Sequence, residues 1–530
     1  MTSERPESRR KLRELPRLLL AAPESGSGKT ALTCGILALL KRRGISCVSY
    51  KCGPDYIDPM FHRHVLGIPG YNLDSFFLSP KQVQSLLAQT ARKADIAVIE
   101  GVMGYYDGVA GTTTQASAYE IAQITDTPVV LVVDGKKSSL SIAALVKGFV
   151  EYKKDSRIKG VILNRTSPML AERLRPCLEE LGIRLYGAVP VCMEAQWESR
   201  HLGLTLPAEQ AQLREKVESF ADRLASCLDL DGLLELAGSA PPVEKVRGES
   251  GRSVERSRGE SGLVERACEM VQVDGSSGQA FMDGEMRRNG TRVSGQGRRA
   301  EIGPQEERAR DGDRPGERGR AAGPDHKVLR RIAVARDEAF CFYYQADLEA
   351  LEQAGWEMFP FSPLHDDHLP CPGLTGIFLG GGYPEVYAKG LSENRAMLEQ
   401  IRLARAQGIK ILAECGGFLY LHETLEGTDG HFYPMAGLIK AKGYRTDKLF
   451  RFGYITLYDQ DGREVARGHE FHYWDSTLPG ADLKAVKPHS SRSWDCMHVT
   501  DGMIAGFPHL YHGPGFGWIG AFWEGTGGGL

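Results

Sequence analysis

Two groups of residues in this chain of 530 have types and spacing that could do chemistry. The first centres on Cys415 in Ala413-Glu414-Cys415-Gly416-Gly417, after the apolar Ile409, Ile411 and Leu412 and before the helix-like Phe418 to Leu421. A cysteine where a buried strand turns sharply into a helix presents its sulfur at a helix N-terminus, where N–H groups and the macrodipole favour thiolate. That is the construction of a nucleophile elbow. The second group is Ser25-Gly26-Ser27-Gly28-Lys29-Thr30, directly after the apolar run 18–22. Backbone N–H groups of Gly26, Ser27, Gly28, Lys29 and Thr30 can wrap phosphates, Lys29 can neutralise the β/γ oxygens, and the Thr30 hydroxyl can join Mg²⁺. A glycine-rich turn with a chance Lys-Thr explains less, because strand, loop and helix start follow in order. Pro23 stands where the strict pattern has glycine. A thiol site and a nucleotide site on one polypeptide suggest two coupled half-reactions.

Further acids and histidines gather around these two. Asp55 and Asp58 in Lys51-Cys-Gly-Pro-Asp-Tyr-Ile-Asp-Pro59 follow the second apparent strand, 47–50, and in a doubly wound sheet would face the phosphate loop. They could hold Mg²⁺ or position a substrate group; a turn-forming Asp beside Pro suits Asp58 better than Asp55. Glu100 ends the apolar strand 96–99, the usual second anchor for nucleotide-bound magnesium. The metal set is therefore Thr30, Asp55 and Glu100, with Asp58, Asp74 and Asp107 orienting substrate. Asn164, at the tip of strand 161–164, could hydrogen-bond the nucleotide base. In the thiol half, Gly380-Gly-Gly382 follows strand 377–379, so N–H groups near Gly381 and Gly382, with that of Gly416, are candidates for an oxyanion hole. A cysteine nucleophile also needs a base, and His469, His472, His509 and His512 are available.

The elements that must position these residues are legible as apolar strand, turn and amphipathic helix, repeated. Run 18–22 precedes helix 29–42, and run 332–336 precedes helix 345–354. The fold class is α/β, with two doubly wound, mostly parallel-sheet domains. Residues 237–327 are rich in Arg, Glu, Gly and Ser, nearly free of aromatics, and repeat Arg-Gly-Glu-Ser-Gly at 247–251 and 258–262. Such a segment cannot bury enough apolar surface to offset its conformational entropy, so a disordered linker is expected. The division is a disordered tail at 1–15, an ATP-dependent domain at 16–236, the linker at 237–327, and a thiol domain at 328–530. With 42% hydrophobic and 25% charged residues the chain reads as an ordinary globular protein. A formal charge of −3 gives no reason to expect nucleic acid or anionic membrane as partner, and no run of about 20 apolar residues is present. The 11 cysteines form no Cys-x-x-Cys pair, which argues against a disulfide framework or zinc ribbon. A cytoplasmic location is the default expectation, with a homodimer as a compatible assembly.

Residues 51–59, Asn72-Leu73-Asp74, residues 100–108 and Glu198-Ser-Arg-His-Leu-Gly-Leu204 resemble the cobyrinic acid a,c-diamide synthase family, whose N-terminal domain is similar to dethiobiotin synthetase. Residues 332–340, 376–385 and the Cys415 elbow look like that family's class I glutamine amidotransferase domain. The resemblance implies an amide ligase that uses ATP and Mg²⁺ to activate a carboxylate as acyl phosphate and L-glutamine to supply ammonia. Its implied substrate is the pair of a- and c-acetate side chains of cobyrinate, a corrin of the cobalamin route. Relatives acting on hydrogenobyrinate or nickel-sirohydrochlorin, and cobyric acid synthase, share these motifs. The resemblance places the base at His509, with Pro508 departing from the usual apolar residue and His512 as a nearby substitute. Position 511 is Tyr where a triad glutamate would stand, so a Cys/His dyad is implied. His469 and Glu470 are expected on the substrate or interdomain side. The rival from another class is a phosphate-loop switch ATPase with a decayed thiol domain.

Overall fold

The computed structural model describes residues 12–192, 207–244, 330–449, 451–513, 522, 523 and 525. Strands that are apolar along their whole length bury both faces, and parallel sheets covered by helices allow that. In the N-terminal half these strands are β1 (Arg17–Ala21), β2 (Cys47–Cys52), β3 (Gly70–Leu73), β4 (Ile96–Glu100), β5 (Val129–Asp134), β6 (Ile158–Asn164) and β7 (Arg184–Val189). They form one sheet in the order β3-β2-β4-β1-β5-β6-β7 with every neighbouring pair parallel. Leu18 and Leu20 pack on one face with Ile36, Leu37 and Leu40 of α1 (Lys29–Arg42), while Leu19 and Ala21 serve the opposite core. Because β2, β4 and β1 are adjacent, the loops leaving their carboxyl ends share one rim, where ligands of such sheets collect.

The folded region reaches beyond the expected span of 16–236. Leu12–Arg13 pairs with Val243–Glu244 in a short antiparallel ribbon. The Arg17 guanidinium, buried beneath it, donates to the carbonyls of Leu15, Thr125 and Pro241. Leu15 is 1% exposed, so it behaves as core and not as tail. The motif 198–204 and most of segment 237–327 lie outside the described residues.

The C-terminal half is built from β8 (Arg331–Ala335), β9 (Glu357–Phe361), β10 (Gly376–Leu379), β11 (Lys410–Glu414), β12 (Arg451–Tyr458), β13 (Glu464–His472), β14 (Leu483–Val486), β15 (Ser493–Cys496), β16 (His498–Thr500), β17 (Met503–Gly506) and β18 (His509–Leu510). One six-stranded sheet runs β9-β8-β10-β11-β17-β16, parallel except at its β16 edge. A second sheet, β15-β14-β12-β13-β18, is wholly antiparallel. This second sheet has no counterpart in the strand–helix alternation of the sequence. It matters because β18 pairs with β13 so that His469 lies directly opposite His509.

The two halves pack as one unit. Tyr71 donates to Glu349 at 2.8 Å, Tyr454 to Asp74 at 2.8 Å, and Arg467 to the Phe76 carbonyl at 2.8 Å. Phe76 stacks on Tyr454 and Phe77 on Tyr511, with ring centroids 4.4 and 5.3 Å apart.

Candidate active site

At the nucleotide rim the phosphate loop is fixed before any ligand arrives. Gly26 and Gly28 adopt φ of +79° and +94°, open to glycine at little cost. A Cβ on Gly28 would lie 2.2 Å from Asn164 Nδ2. Asn164 Nδ2 donates to the Ser27 carbonyl at 2.8 Å, and its Oδ1 accepts the Arg165 N–H at 3.0 Å. Both ends of this amide are therefore engaged, and its nitrogen props the loop. Lys29 donates to the carbonyls of Glu24 and Met103, which folds its ammonium over the loop.

Four side chains converge close by. The Thr30 hydroxyl donates to Glu100 Oε1 at 2.5 Å and approaches Asp58 Oδ2 at 3.4 Å. The Lys51 ammonium lies 2.5 Å from Asp58 and 2.7 Å from Glu100. Burial holds the Glu100 carboxyl above its usual range against the pull of Lys51. Burial also works upward on Asp58, but the Lys51 ammonium outweighs it and leaves that carboxyl lowered. Glu100 Oε2 is buried without a partner, which is what an anchor awaiting a cation leaves behind. Asp55 stands apart from this group: its Oδ1 accepts the N–H groups of Ile57 and Asp58. The structure thus puts Asp58, not Asp55, beside Thr30 and Glu100, because Asp55 closes the turn that opens the helix Ile57–Phe61. Among the described residues no three or more His, Cys, Asp or Glu side chains cluster as a metal cage. Magnesium held through one or two carboxylates and substrate phosphates needs none.

Two further acids take structural posts. Asp107 Oδ2 accepts the Gly104 N–H at 2.9 Å and closes the turn after β4. Asp74 Oδ1 accepts from Phe76 and Phe77 while Oδ2 accepts from Tyr454, so this buried carboxylate clamps the two halves together.

The thiol site forms where β11 ends. Cys415 has φ +47° and ψ −100°, a strained pair for a residue with a Cβ, and the helix Gly416–Tyr420 follows at once. Its N–H donates to the Gly506 carbonyl at 2.8 Å, and the Gly417 N–H donates to that of Gly380 at 3.0 Å. A Cβ on Gly416 would lie 3.1 Å from the Gly382 nitrogen, and one on Gly381 would lie 2.4 Å from His509 Cε1. The glycine turn therefore touches the elbow on one side and His509 on the other. The expected thiolate is not the resting form. Burial, then the carboxylates of Glu385 and Glu470, push the Cys415 thiol far upward, and a five-residue helix offsets little of this. His509 is held well below its ordinary value by burial and by the neighbouring His469 and His472. Its ring stacks on His469 at 5.0 Å, and its Nδ1 is buried with no hydrogen-bond partner. Thiol and imidazole are thus both held in their neutral forms, and among the described residues no acid bonds to the His509 ring.

The other histidines are occupied. His472 reaches the Trp474 carbonyl at 2.6 Å and Glu470 at 3.2 Å, and stacks on Phe507. His512 pairs with Glu414 at 3.2 Å. His469 meets the Tyr344 hydroxyl at 3.2 Å and, from the N-terminal half, the Tyr56 ring at 5.7 Å. Glu470 faces the other way, because neighbours on a strand alternate, and holds the Trp494 N–H inside the C-terminal half.

Two family models match the chain: a CobQ/CobB/MinD/ParA nucleotide binding domain over residues 18–204, and a CobB/CobQ-like glutamine amidotransferase domain over residues 331–510. A cobyrinate a,c-diamide synthase of Caldanaerobacter subterraneus subsp. tengcongensis is 33% identical over 93% of this chain and 94% of its own. The chain belongs to the cobyrinate a,c-diamide synthase family. Another member, from Salmonella typhimurium, is 34% identical over 92% of this chain and 90% of its own. A hydrogenobyrinate a,c-diamide synthase of Streptomyces coelicolor is 36% identical over 86% of each chain. As a cobyrinate a,c-diamide synthase family member the chain is a glutamine-dependent amidotransferase ligase with a nucleotide-binding domain.

Several residues at these sites were not singled out by their sequence context. Lys51 lies within a motif whose acids drew attention first, yet it bridges Asp58 and Glu100. Asn72 donates to the carbonyls of Gly53 and Asp55 and holds the acidic loop in place. Glu385, at the end of the glycine-turn motif, is raised to about 7 by desolvation and stands among the neighbours of Cys415. Tyr56, between the two aspartates, packs against His509 at 5.3 Å. Only its position between Asp55 and Asp58 could have signalled it.

Proposed function

We propose that this chain amidates the a- and c-acetate carboxylates of cobyrinate, using ATP and glutamine. The observation that carries the reading is the pairing of two complete-looking sites in one unit: the Cys415 elbow with His509 against a glycine turn, and Thr30, Asp58 and Glu100 beneath a phosphate loop. Cys415 Sγ attacks the glutamine side-chain carbonyl while His509 takes the thiol proton. N–H groups of Gly416 and of Gly381 or Gly382 hold the oxyanion. Collapse of that intermediate forms a thioester, and His509 returns the proton to departing ammonia. Water then hydrolyses the thioester to glutamate. Burial raises the Glu385 carboxyl, and a glutamine α-ammonium group bound beside it would draw it into its charged form.

At the other site a substrate carboxylate oxygen attacks the γ-phosphorus of ATP, ADP leaves, ammonia attacks the acyl carbon, and phosphate departs. The step is needed because an oxide is a poor leaving group and phosphate a good one. The Thr30 hydroxyl, Glu100 and Asp58 suit Mg²⁺, with Asp55 as a further carboxylate on the same loop. Bound there, the ion draws charge from the transferring phosphoryl group. Lys29 and the loop N–H groups orient the phosphates, and Lys51 bridges the two acids and holds Asp58 charged. The ATP-dependent half spans 16–236 with its 12–13 and 243–244 ribbon, and the glutaminase half spans 328–530. Both cosubstrates are cytoplasmic metabolites, which supports that location.

The name of the Streptomyces coelicolor relative favours hydrogenobyrinate as the second reading. Full-length protein given ATP, Mg²⁺ and glutamine with cobyrinate, hydrogenobyrinate or nickel-sirohydrochlorin should add two amides to cobyrinate, counted by mass spectrometry. Failure to amidate any of the three would overturn the proposal.

A further inference from the structure

One side chain crosses from the acidic loop of the nucleotide half into the thiol half. Tyr56 follows Asp55 directly and is 7% exposed. Its ring stacks flat on Phe342 at 5.2 Å and lies 4.5 Å from Tyr344 and 5.3 Å from His509. Together with Phe342 and Tyr344 it lines a small cavity that also takes in Asp347, Leu348, Glu414 and His512. Glu414 immediately precedes Cys415 and pairs with His512 at 3.2 Å. Asp347 accepts the N–H groups of His512 and Gly513 at 3.1 and 3.0 Å. The cavity has room for about one molecule the size of water, and its buried carboxylates and imidazole offer hydrogen bonds from several sides. It is far too small for glutamine or a nucleotide. The Tyr56 phenol is pushed upward by burial and then by Glu414, Asp347 and Cys415, a further sign of how near these groups stand.

We infer that Tyr56 is the gate on the path of ammonia from Cys415 to the carboxylate site, and that the cavity bounded by Glu414, His512 and Asp347 is its holding point. Ammonia matches water in size and in its need for both donors and acceptors. Tyr56 belongs to the loop of Asp55 and Asp58 and its ring lines this cavity, so ligands that reposition that loop move the gate. Release of ammonia is thereby tied to the presence of its acceptor. The inference rests on the two-site synthase reading.

The test supplies unlabelled glutamine and excess ¹⁵N-ammonium together to the full chain with ATP, Mg²⁺ and cobyrinate. It reads the nitrogen isotope in the amide and the glutamate formed per amide. The unaltered protein should draw its amide nitrogen from glutamine, with about one glutamate per amide. Tyr56→Ala should raise both the ¹⁵N share and the glutamate per amide by about threefold or more, and Tyr56→Phe should not. Leu348→Phe, which fills the cavity, should leave glutamate formation and ammonium-driven amidation in place and cut glutamine-derived amide by about tenfold. If Tyr56→Ala loses glutaminase activity altogether, Leu348→Phe decides. Free isotope exchange in the unaltered protein, or unaltered coupling in Tyr56→Ala or in Leu348→Phe, would overturn the gate. Absence of any amide from either nitrogen source in the unaltered protein would instead overturn the synthase reading.

Discussion

The Cys415 elbow and His509 each lie against a turn that only glycine can make. The Cys415 backbone is strained at φ +47°, and His509 lies where any side chain on Gly381 would collide with it. His509 is kept neutral far below its ordinary value near 6.5 by burial and by two neighbouring imidazoles. A base with a depressed pKa remains unprotonated as pH falls, so kcat/KM for glutamine hydrolysis should stay level as pH drops through 6.5. A stopped assay from pH 5.5 to 7.5 checks this; a fall centred near 6.5 would point to an ordinary, exposed histidine. His509→Asn should cost about 10²- to 10⁴-fold in glutaminase rate and spare amidation driven by ammonium. At this scale the sequence was informative about which residue types matter, since Cys415, Gly416 and Lys29 sit in short local motifs. It pointed the wrong way on protonation, favouring thiolate, because the burial and the carboxylates that push the Cys415 thiol upward, Glu385 and Glu470, come from the tertiary packing of distant strands and turns.

At the scale of elements, the parallel strands were readable because each is an unbroken apolar run, as in Val129–Asp134. Antiparallel β12 and β13 were not, because Arg451–Tyr458 and Glu464–His472 mix exposed and buried positions. The register that sets His469 opposite His509 joins residues 40 positions apart and leaves no local trace. The same limit explains Asp55 and Asp58, which the sequence ranked in the reverse order to their approach to Thr30. The phosphate loop and the tip of β6 form one device, since Asn164 fits against Gly28 only while that residue lacks a Cβ. Gly28→Ala must also abandon φ +94°. It should weaken nucleotide binding by about tenfold or more, measured by fluorescent ATP-analogue titration, with glutaminase activity retained. Binding at the original affinity would show that the loop tolerates the shift.

Across the whole molecule, the two halves meet through polar clamps and aromatic stacks, and no single sequence segment announced them. Tyr454 and Asp74 are 380 positions apart, yet the phenol donates to the buried carboxylate at 2.8 Å. Tyr454→Phe leaves that oxygen unpaired and should lower stability by about 1–3 kcal/mol, read from urea midpoints. With Asp74→Asn in a double-mutant cycle, a coupling below about 0.5 kcal/mol would mean that the clamp contributes little. The central claim is that one polypeptide makes ammonia at Cys415 and uses it at the phosphate-loop site. Its most direct test is Cys415→Ala in the full chain with cobyrinate, ATP and Mg²⁺, supplied with glutamine or with ammonium, and amides counted by mass spectrometry. Glutamine-driven amidation should fall by about 10³-fold or more while ammonium still yields the diamide at close to the unaltered rate. Persistence of the glutamine-driven reaction, or loss of the ammonium-driven one, would contradict the two-site account.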